Sequence, residues 1–435
     1  MTAHSEPLAP APRSRAASVQ KISFAGGCEA WLVEDYAVPL VALECAFPGG
    51  AAQDAPGKAG CATMLSALLD EGAGPLDDEA FHRALDEKAI ELSFSVDRDT
   101  LRGHLRTLAK HVEAAFDLLR LAVNAPRFDE RPVERVRAQI TAGLKREAND
   151  PDSRAAKAWR EAAFPDHPYG RPTNGTLESI AAITRDDLVA MRRAGFARDG
   201  LKVAIVGAID ATRARALLEA AFGALPQTAA LRDVPEARMA NLGAVRVVDI
   251  DLPQSTIRFG APGVGRRDPD YDAAVVVNHI LGGGVFSARL FKEVREKRGL
   301  AYSVHSGLQT QQRGAIFAGA TSTKNERAAE SLSVIESEIA GLAEDGPTDD
   351  ELAKAKSYLT GSYALRFDSS TKIAGQLVQL QIDGFDVDYL DRRNALIEAV
   401  TMDDAKRVAK RLFGAGQLLV AVAGRPEGIE GRHLG

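Results

Sequence analysis

Apolar positions along this chain change period in an order that occurs twice. "EAWLVEDYAVPLVALECAF" (29–47) reads as strand. "LRTLAKHVEAAFDLLRLAVNAP" (105–126) places Leu105, Leu108, Val112, Ala115, Leu119 and Ala122 on one helical face, which predicts a single amphipathic helix over the stretch. "RFDERPVERVRAQITAGLKREANDP", from about 127, predicts a long amphipathic helix after a polar start. "ITRDDLVAMRRAGFARDGLKVAIVGAID" (183–210) predicts a helix, a glycine-containing break and an apolar strand. Thr184 is a good N-cap, with Asp187 three positions on. "LKVAIVGAID" is continuous enough to be buried on both faces.

The order then returns. "VRVVDIDLPQSTIRFGAPG" (245–263) is strand-like, and "GPTDDELAKAKSYLTGSYALRFDSS", from about 346, is a long helix after a polar start. "VTMDDAKRVAKRLFGAGQLLVAVAGRP" (400–426) repeats Thr-x-Asp-Asp at Thr401 and Asp404, then the break, then the strand. Self-similarity at an offset of roughly 220 residues is a duplicated domain and not a solenoid. "LPQTAALRDVPEARMANLGA" (225–244) has two prolines, scattered charge and no period, so it reads as an extended linker. The fold expected is α+β: homologous domains at 21–224 and 245–435, each a mainly antiparallel sheet backed by helices, joined by the 225–244 linker. The Ala-, Pro- and Ser-rich start, 1–20, is expected to be a disordered tail.

Composition narrows the function classes. Fifty-four Lys and Arg against 60 Asp and Glu give a net charge of −6, which argues against nucleic-acid binding. No apolar run reaches the ~18 residues of a membrane span, and the start lacks an apolar signal core. A cytoplasmic location is expected, with the periplasm as the alternative. Three cysteines, Cys28, Cys45 and Cys61, form neither a disulfide framework nor a C-x-x-C zinc pair. His104 and His111 are too far apart to share a zinc, and His82 has no second histidine in reach. These read as surface or packing histidines, and His167 as a structural loop residue.

Two longer motifs remain: "HPYGRPTNGTLESI" (167–180) and "LGGGVFSARLFKEVREKRGLAYSV" (281–304). With the duplication, they resemble the pitrilysin-like (inverzincin) metallopeptidases, especially bacterial two-subunit members and mitochondrial processing peptidases. Active members of that family carry H-x-x-E-H on an early helix. Histidines at i and i+4 share a helix face and ligate zinc, the glutamate between them polarises the bound water, and a distal glutamate completes the ligand set. On this chain the resemblance puts those positions in "GCATMLSALLDEGAG" (60–74), expected to be one helix, at Thr63, Ser66 and Ala67. The distal ligand falls near Ala142 or Gly143. Every required side chain is missing, so this chain is expected to bind no cofactor.

Arg298 and Tyr302 stand four apart across Gly299. Taken alone, the arginine reads as a helix-end cap and the tyrosine as half-buried packing. The resemblance implies more: Arg298 binding a substrate carbonyl or carboxylate, and the Tyr302 hydroxyl donating to the developing oxyanion at a zinc site. Arg295 and Lys297 read as solvated helix-face charges, with Glu293 pairing Lys297. "LGGG" reads as a hinge permitting close chain approach. The function expected is the non-catalytic subunit of a heterodimeric zinc peptidase acting on small unfolded peptides. The zinc would sit in an H-x-x-E-H-bearing partner. The alternative is a proteolytically inactive structural or peptide-binding subunit, like the core proteins of a respiratory complex.

Overall fold

The protein is described from a computed structural model covering residues 19–429, so the tail expected over 1–20 lies outside it up to residue 18. The first sheet contains β1 (Gln20–Phe24), β2 (Cys28–Glu34), β3 (Leu40–Pro48), β4 (Glu91–Val96), β5 (Thr100–Leu108) and β6 (Lys202–Gly207), in the order β1-β2-β6-β3-β5-β4. The second contains β7 (Val245–Val248), β8 (Gln254–Pro262), β9 (Ala301–Gln311), β10 (Gly314–Lys324) and β11 (Leu419–Ala423), in the order β7-β11-β8-β10-β9. With β1 set aside, the two orders match position by position. β2–β6 and β7–β11 are parallel and the other pairs antiparallel, so the fold is α+β and duplicated.

The repeated N-cap signal marks equivalent helices. Thr184 and Thr401 each accept from the backbone N–H three residues on, and Asp187 and Asp404 return the bond, closing capping boxes on Arg185–Gly195 and Met402–Phe413. The strands that follow, β6 and β11, are almost wholly buried. The helix expected over 105–126 is different. Residues 105–108 end strand β5, and the α-helix runs only from Val112 to Asn124. Leu101, Gly103, Leu105 and Thr107 alternate into the core, and pairing of Leu105 with Leu43 on β3 overrides a helical reading of the same leucines. Residues 224–244 cross between the sheets without helix or strand, but they are docked. Ala240 donates to the Ala163 carbonyl at 2.8 Å and Ala237 to the Arg313 carbonyl at 2.6 Å. Among the described residues no helix is long and apolar enough to cross a membrane.

One face of each sheet is packed by its own half. Val112–Asn124 and Ala211–Phe222 cover the first; Ala328–Asp345 and Met402–Phe413 cover the second. The other face of each is covered by a helix from the opposite half. Pro151–Ala163 lays Ala158, Trp159 and Ala162 against Ile316, Leu419 and Ala421 of the second sheet. Ser370–Asp383 lays Ile373, Leu377 and Val378 against Trp31, Val33, Ala204 and Val206 of the first. Each borrowed helix also hydrogen-bonds a carbonyl on the equivalent strand: Trp159 Nε1 donates to Leu419 O at 2.8 Å, and Gln381 Nε2 to Val203 O at 2.9 Å. Gly260 on β8 makes room for the indole, since a Cβ there would lie 2.5 Å from the Trp159 ring.

Trp159→Ala is expected to cost about 3–5 kcal/mol, from lost burial and the cavity left behind. Trp159→Phe should cost distinctly less, keeping most of the apolar contact while losing the hydrogen bond. Urea unfolding of both variants measures the difference.

Candidate functional site

The segment expected to be one helix over 60–74 is an α-helix only from Cys61 to Ser66. Beyond it, Leu68 N–H bonds the Leu65 carbonyl and Glu71 N–H the Leu68 carbonyl, three-residue spacings that tighten the chain into turns and bury Leu68 and Leu69. Asp54 organises the helix start: its carboxylate accepts from Gly60 N–H at 2.7 Å and from Ala62 N–H at 2.8 Å. Burial pushes that carboxyl up to about 6, against the pull of the two amide donors.

Two of the three positions where the motif would fall have other employment. Thr63 Oγ1 donates to the Thr173 carbonyl at 2.7 Å, tying the helix to the loop that follows His167. Ser66 is buried and bonds back to the Thr63 carbonyl at 2.9 Å. Ala67 is exposed in the first turn past the helix. Ala142 and Gly143 lie on the Glu130–Glu147 helix, and nothing lies within 4 Å of a Cβ built on Gly143. Among the described residues no three His, Cys, Asp or Glu converge to hold a metal ion. A zinc of the family type does not fit these residues.

Two of the histidines serve structure. His104 pairs across strands with Glu44, Nδ1 to Oε1 at 2.7 Å. His167 accepts from Tyr169 N–H at Nδ1, 3.0 Å, and donates from Nε2 to the Pro235 carbonyl, 2.9 Å, so it fastens the linker.

In the second half, Tyr271–Asn278 continues into a π-helical turn, His279–Gly283, and a second π turn spans Phe291–Glu296. π turns often lie at functional sites. Gly282 is needed where the first turn crosses β9, because a Cβ there would lie 2.4 Å from Ser306 Oγ. Gly299, at φ 58°, then turns the chain into β9. Tyr302 emerges 83% exposed, not as half-buried packing. No described residue hydrogen-bonds its hydroxyl.

The arginines divide differently from the sequence reading. Arg298 Nη1 turns back to Glu293, at 2.5 Å from Oε2 and 3.0 Å from the backbone carbonyl. Lys297 Nζ binds the same carboxylate at 2.5 Å, and the two cations hold Glu293 below the usual carboxylate range. Arg295, read as a solvated helix-face charge, lies instead over the Tyr302 ring at 4.7 Å and the Phe291 ring at 4.8 Å. Phe286, 70% exposed, meets the buried Phe291 edge-on at 5.1 Å, so a chain of contacts Phe286–Phe291–Arg295–Tyr302 starts and ends at exposed rings. Arg295 precedes Tyr302 by seven residues, which on a continuous helix would share a face but stand two turns, about 10 Å, apart. The turn at Gly299 between the π turn and β9 is what lets guanidinium and ring stack, and periodicity gives no sign of that turn.

Known proteins resemble this chain over both halves. The family model described as insulinase (peptidase family M16) matches residues 32–177, and that described as peptidase M16 inactive domain matches 182–359. A protein of Helicobacter pylori named as a non-peptidase homolog is 28% identical over 334 residues, 77% of each chain. A zinc protease of Streptomyces coelicolor, described as uncharacterized, is 28% identical over 84% of this chain and 81% of its own. The crystal structure of a peptidase M16 inactive domain from Pseudomonas fluorescens superposes with a TM-score of 0.88 at 27% identity, over 96% of this chain and all of its own.

Metal analysis of the purified chain is expected to find zinc well below one equivalent. One equivalent that survives chelation and gel filtration would overturn the reading of Thr63, Ser66 and Ala67 as an empty ligand set.

Proposed function

The chain belongs to the M16 peptidase family, and from that premise we propose that it is the non-catalytic subunit of a heterodimeric zinc peptidase. The partner would carry H-x-x-E-H and supply the zinc, its ligands and the general base. This chain would supply Arg298, Tyr302 and half of the enclosing wall. The substrates would be unfolded peptides small enough to be enclosed between the two chains, with water excluded around the reacting bond.

The observation that carries the reading is the exposure of Tyr302. A tyrosine kept for packing buries its ring. This ring instead stands in solvent with a guanidinium on its face and its hydroxyl unengaged, on a chain that has lost the ligand side chains of its own first half. In a partner's active site the hydroxyl would donate to the oxyanion that forms as the peptide carbonyl is attacked. Arg298 would leave Glu293 for a substrate carbonyl or carboxylate, a planar fork suited to either. Arg295, already stacked on Tyr302, would hold the ring in position.

Peptide cleavage is expected only when this chain is mixed with an H-x-x-E-H-bearing relative. A relative that cleaves fully alone, with no gain on mixing, would sink the proposal. In the mixture, Tyr302→Phe should lower kcat by roughly 10²-fold with assembly intact, the loss typical of one preorganised oxyanion donor. Arg298→Ala and Arg295→Ala separate the two arginines. Loss of substrate affinity is expected from the first, and loss of kcat with little change in KM from the second.

A further inference from the structure

A cavity of about 300 Å³ lies in the first half, between the Cys61–Ser66 helix, the paired ends of β3 and β5, and the Arg185–Gly195 helix. Its walls are apolar: Phe47, Leu65, Leu101, Met191 and Phe196 line it, together with Leu231 of the linker. Cys61 also lines it, and burial pushes that thiol up to about 12, so it faces the space as a neutral group. An apolar cavity of roughly 150 Å³ stays dry and admits benzene, so twice that volume leaves room for roughly a dozen heavy atoms.

The linker closes this space as a strap. Gln53 holds the backbone of Arg232 at both its groups: Arg232 N–H donates to Gln53 Oε1 at 2.8 Å, and Gln53 Nε2 donates to the Arg232 carbonyl at 3.0 Å. Ala230 N–H donates to the Ala194 carbonyl at 2.9 Å. Between these two fastenings Leu231 meets Gly49, where φ is 126° and an added Cβ would lie 3.0 Å from Leu231 Cδ2. Glycine is needed at that approach. The strap belongs to no helix or strand, so it can lift by breaking a few hydrogen bonds without opening either sheet.

The charges on the lining do not cancel. They are two cations, Lys58 and Arg232, and one carboxylate, Asp187. Lys58 and Asp187 are bound to each other at 2.8 Å, and Asp187 also accepts from Thr184 N–H at 2.7 Å. Asp54 feels both Arg171 and Arg232, but its carboxylate is taken up by the Gly60 and Ala62 amides, and Arg171 is spent on the Asp54 and Ala52 carbonyls. Arg232 itself is exposed and donates from Nη2 to the Gln53 carbonyl. Its neighbour Asp233 is exposed and outside the lining, and among the described residues no carboxylate forms an ion pair with Arg232. An apolar chamber with one unpaired guanidinium on its lining is matched by an apolar chain that ends in a carboxylate.

We propose that this cavity binds a medium-chain carboxylic acid, with its chain among Phe47, Leu65, Leu101 and Phe196 behind Leu231 and its carboxylate on Arg232. Decanoate has the size the cavity admits. The site is independent of the peptidase role, since Arg298 and Tyr302 stand in the other half.

Isothermal titration calorimetry on the purified full chain tests this with decanoate and, as the uncharged control, 1-decanol. Decanoate is expected to saturate one site and to bind roughly 10–100-fold more tightly than the alcohol. Arg232→Gln should remove most of that difference and leave the alcohol's affinity unchanged. Shortening the acid should weaken binding about fourfold per methylene, and lengthening it well past decanoate should bring no further gain, because the walls are fixed. Ala194→Phe fills the cavity from a half-exposed helix position and should abolish binding of both compounds, with the circular dichroism of the parent chain retained. Four results would each overturn the site: no saturable binding, equal affinity of acid and alcohol, a gain per methylene that continues through tetradecanoate, or a folded Ala194→Phe chain that still binds decanoate as the parent does.

Discussion

The exchange of one helix between the two halves is the constraint on which the rest of the structure depends. Each sheet has two apolar faces, and a sheet with one apolar face in water is not stable at this composition. Pro151–Ala163 and Ser370–Asp383 close the open faces reciprocally, and Trp159 and Gln381 anchor them on equivalent strands. The duplicated units are therefore one cooperative body, and any side chain fixed in one half has a defined place relative to the other. The edge hairpins add to this: Asp99 accepts from the Tyr169 hydroxyl at 2.5 Å and from Gln312 N–H, while the same hydroxyl accepts from Arg313 N–H at 3.0 Å.

This arrangement lets the first half hold its fold without a metal ion. The short helix at Cys61–Ser66 is held by Asp54 at its start and by the Thr173 carbonyl on its side, neither of which needs an ion. The segment from Gly282 to Tyr302 depends on different parts: a close crossing at Gly282, a left-handed turn at Gly299 and a guanidinium stacked on an exposed ring. The two sets of supports share no residue, so the conformation of one segment does not depend on the other.

Much of the fold was legible in the residues, because capping chemistry is local. Thr184 with Asp187 and Thr401 with Asp404 each name a helix start, and their repetition names the duplication. Local pattern failed where tertiary pairing chose between periods. Leu105 and Leu108 fit a helix as well as a strand, and only β3 decides. It failed again past Ser66, where buried leucines look helical but the chain tightens into turns. The helix exchange was invisible, because an amphipathic stripe shows that a helix packs but not on which sheet. At the site, the missing ligands at Thr63, Ser66 and Ala67 could be read directly. The division of labour between Arg295 and Arg298 could not, since it is set by one turn and by which acid lies nearest.

The reciprocal cover also dictates the order in which the molecule can be completed as it is made. Trp31, Val33, Ala46, Ala204 and Val206 form an apolar surface that stays uncovered until Ser370–Asp383 has left the ribosome. The first sheet thus waits through synthesis of nearly the whole second half with one side bare. A chain cut short anywhere between β6 and residue 370 is left with a sticky, half-finished sheet, a substrate for chaperones and proteases and not a smaller version of the protein.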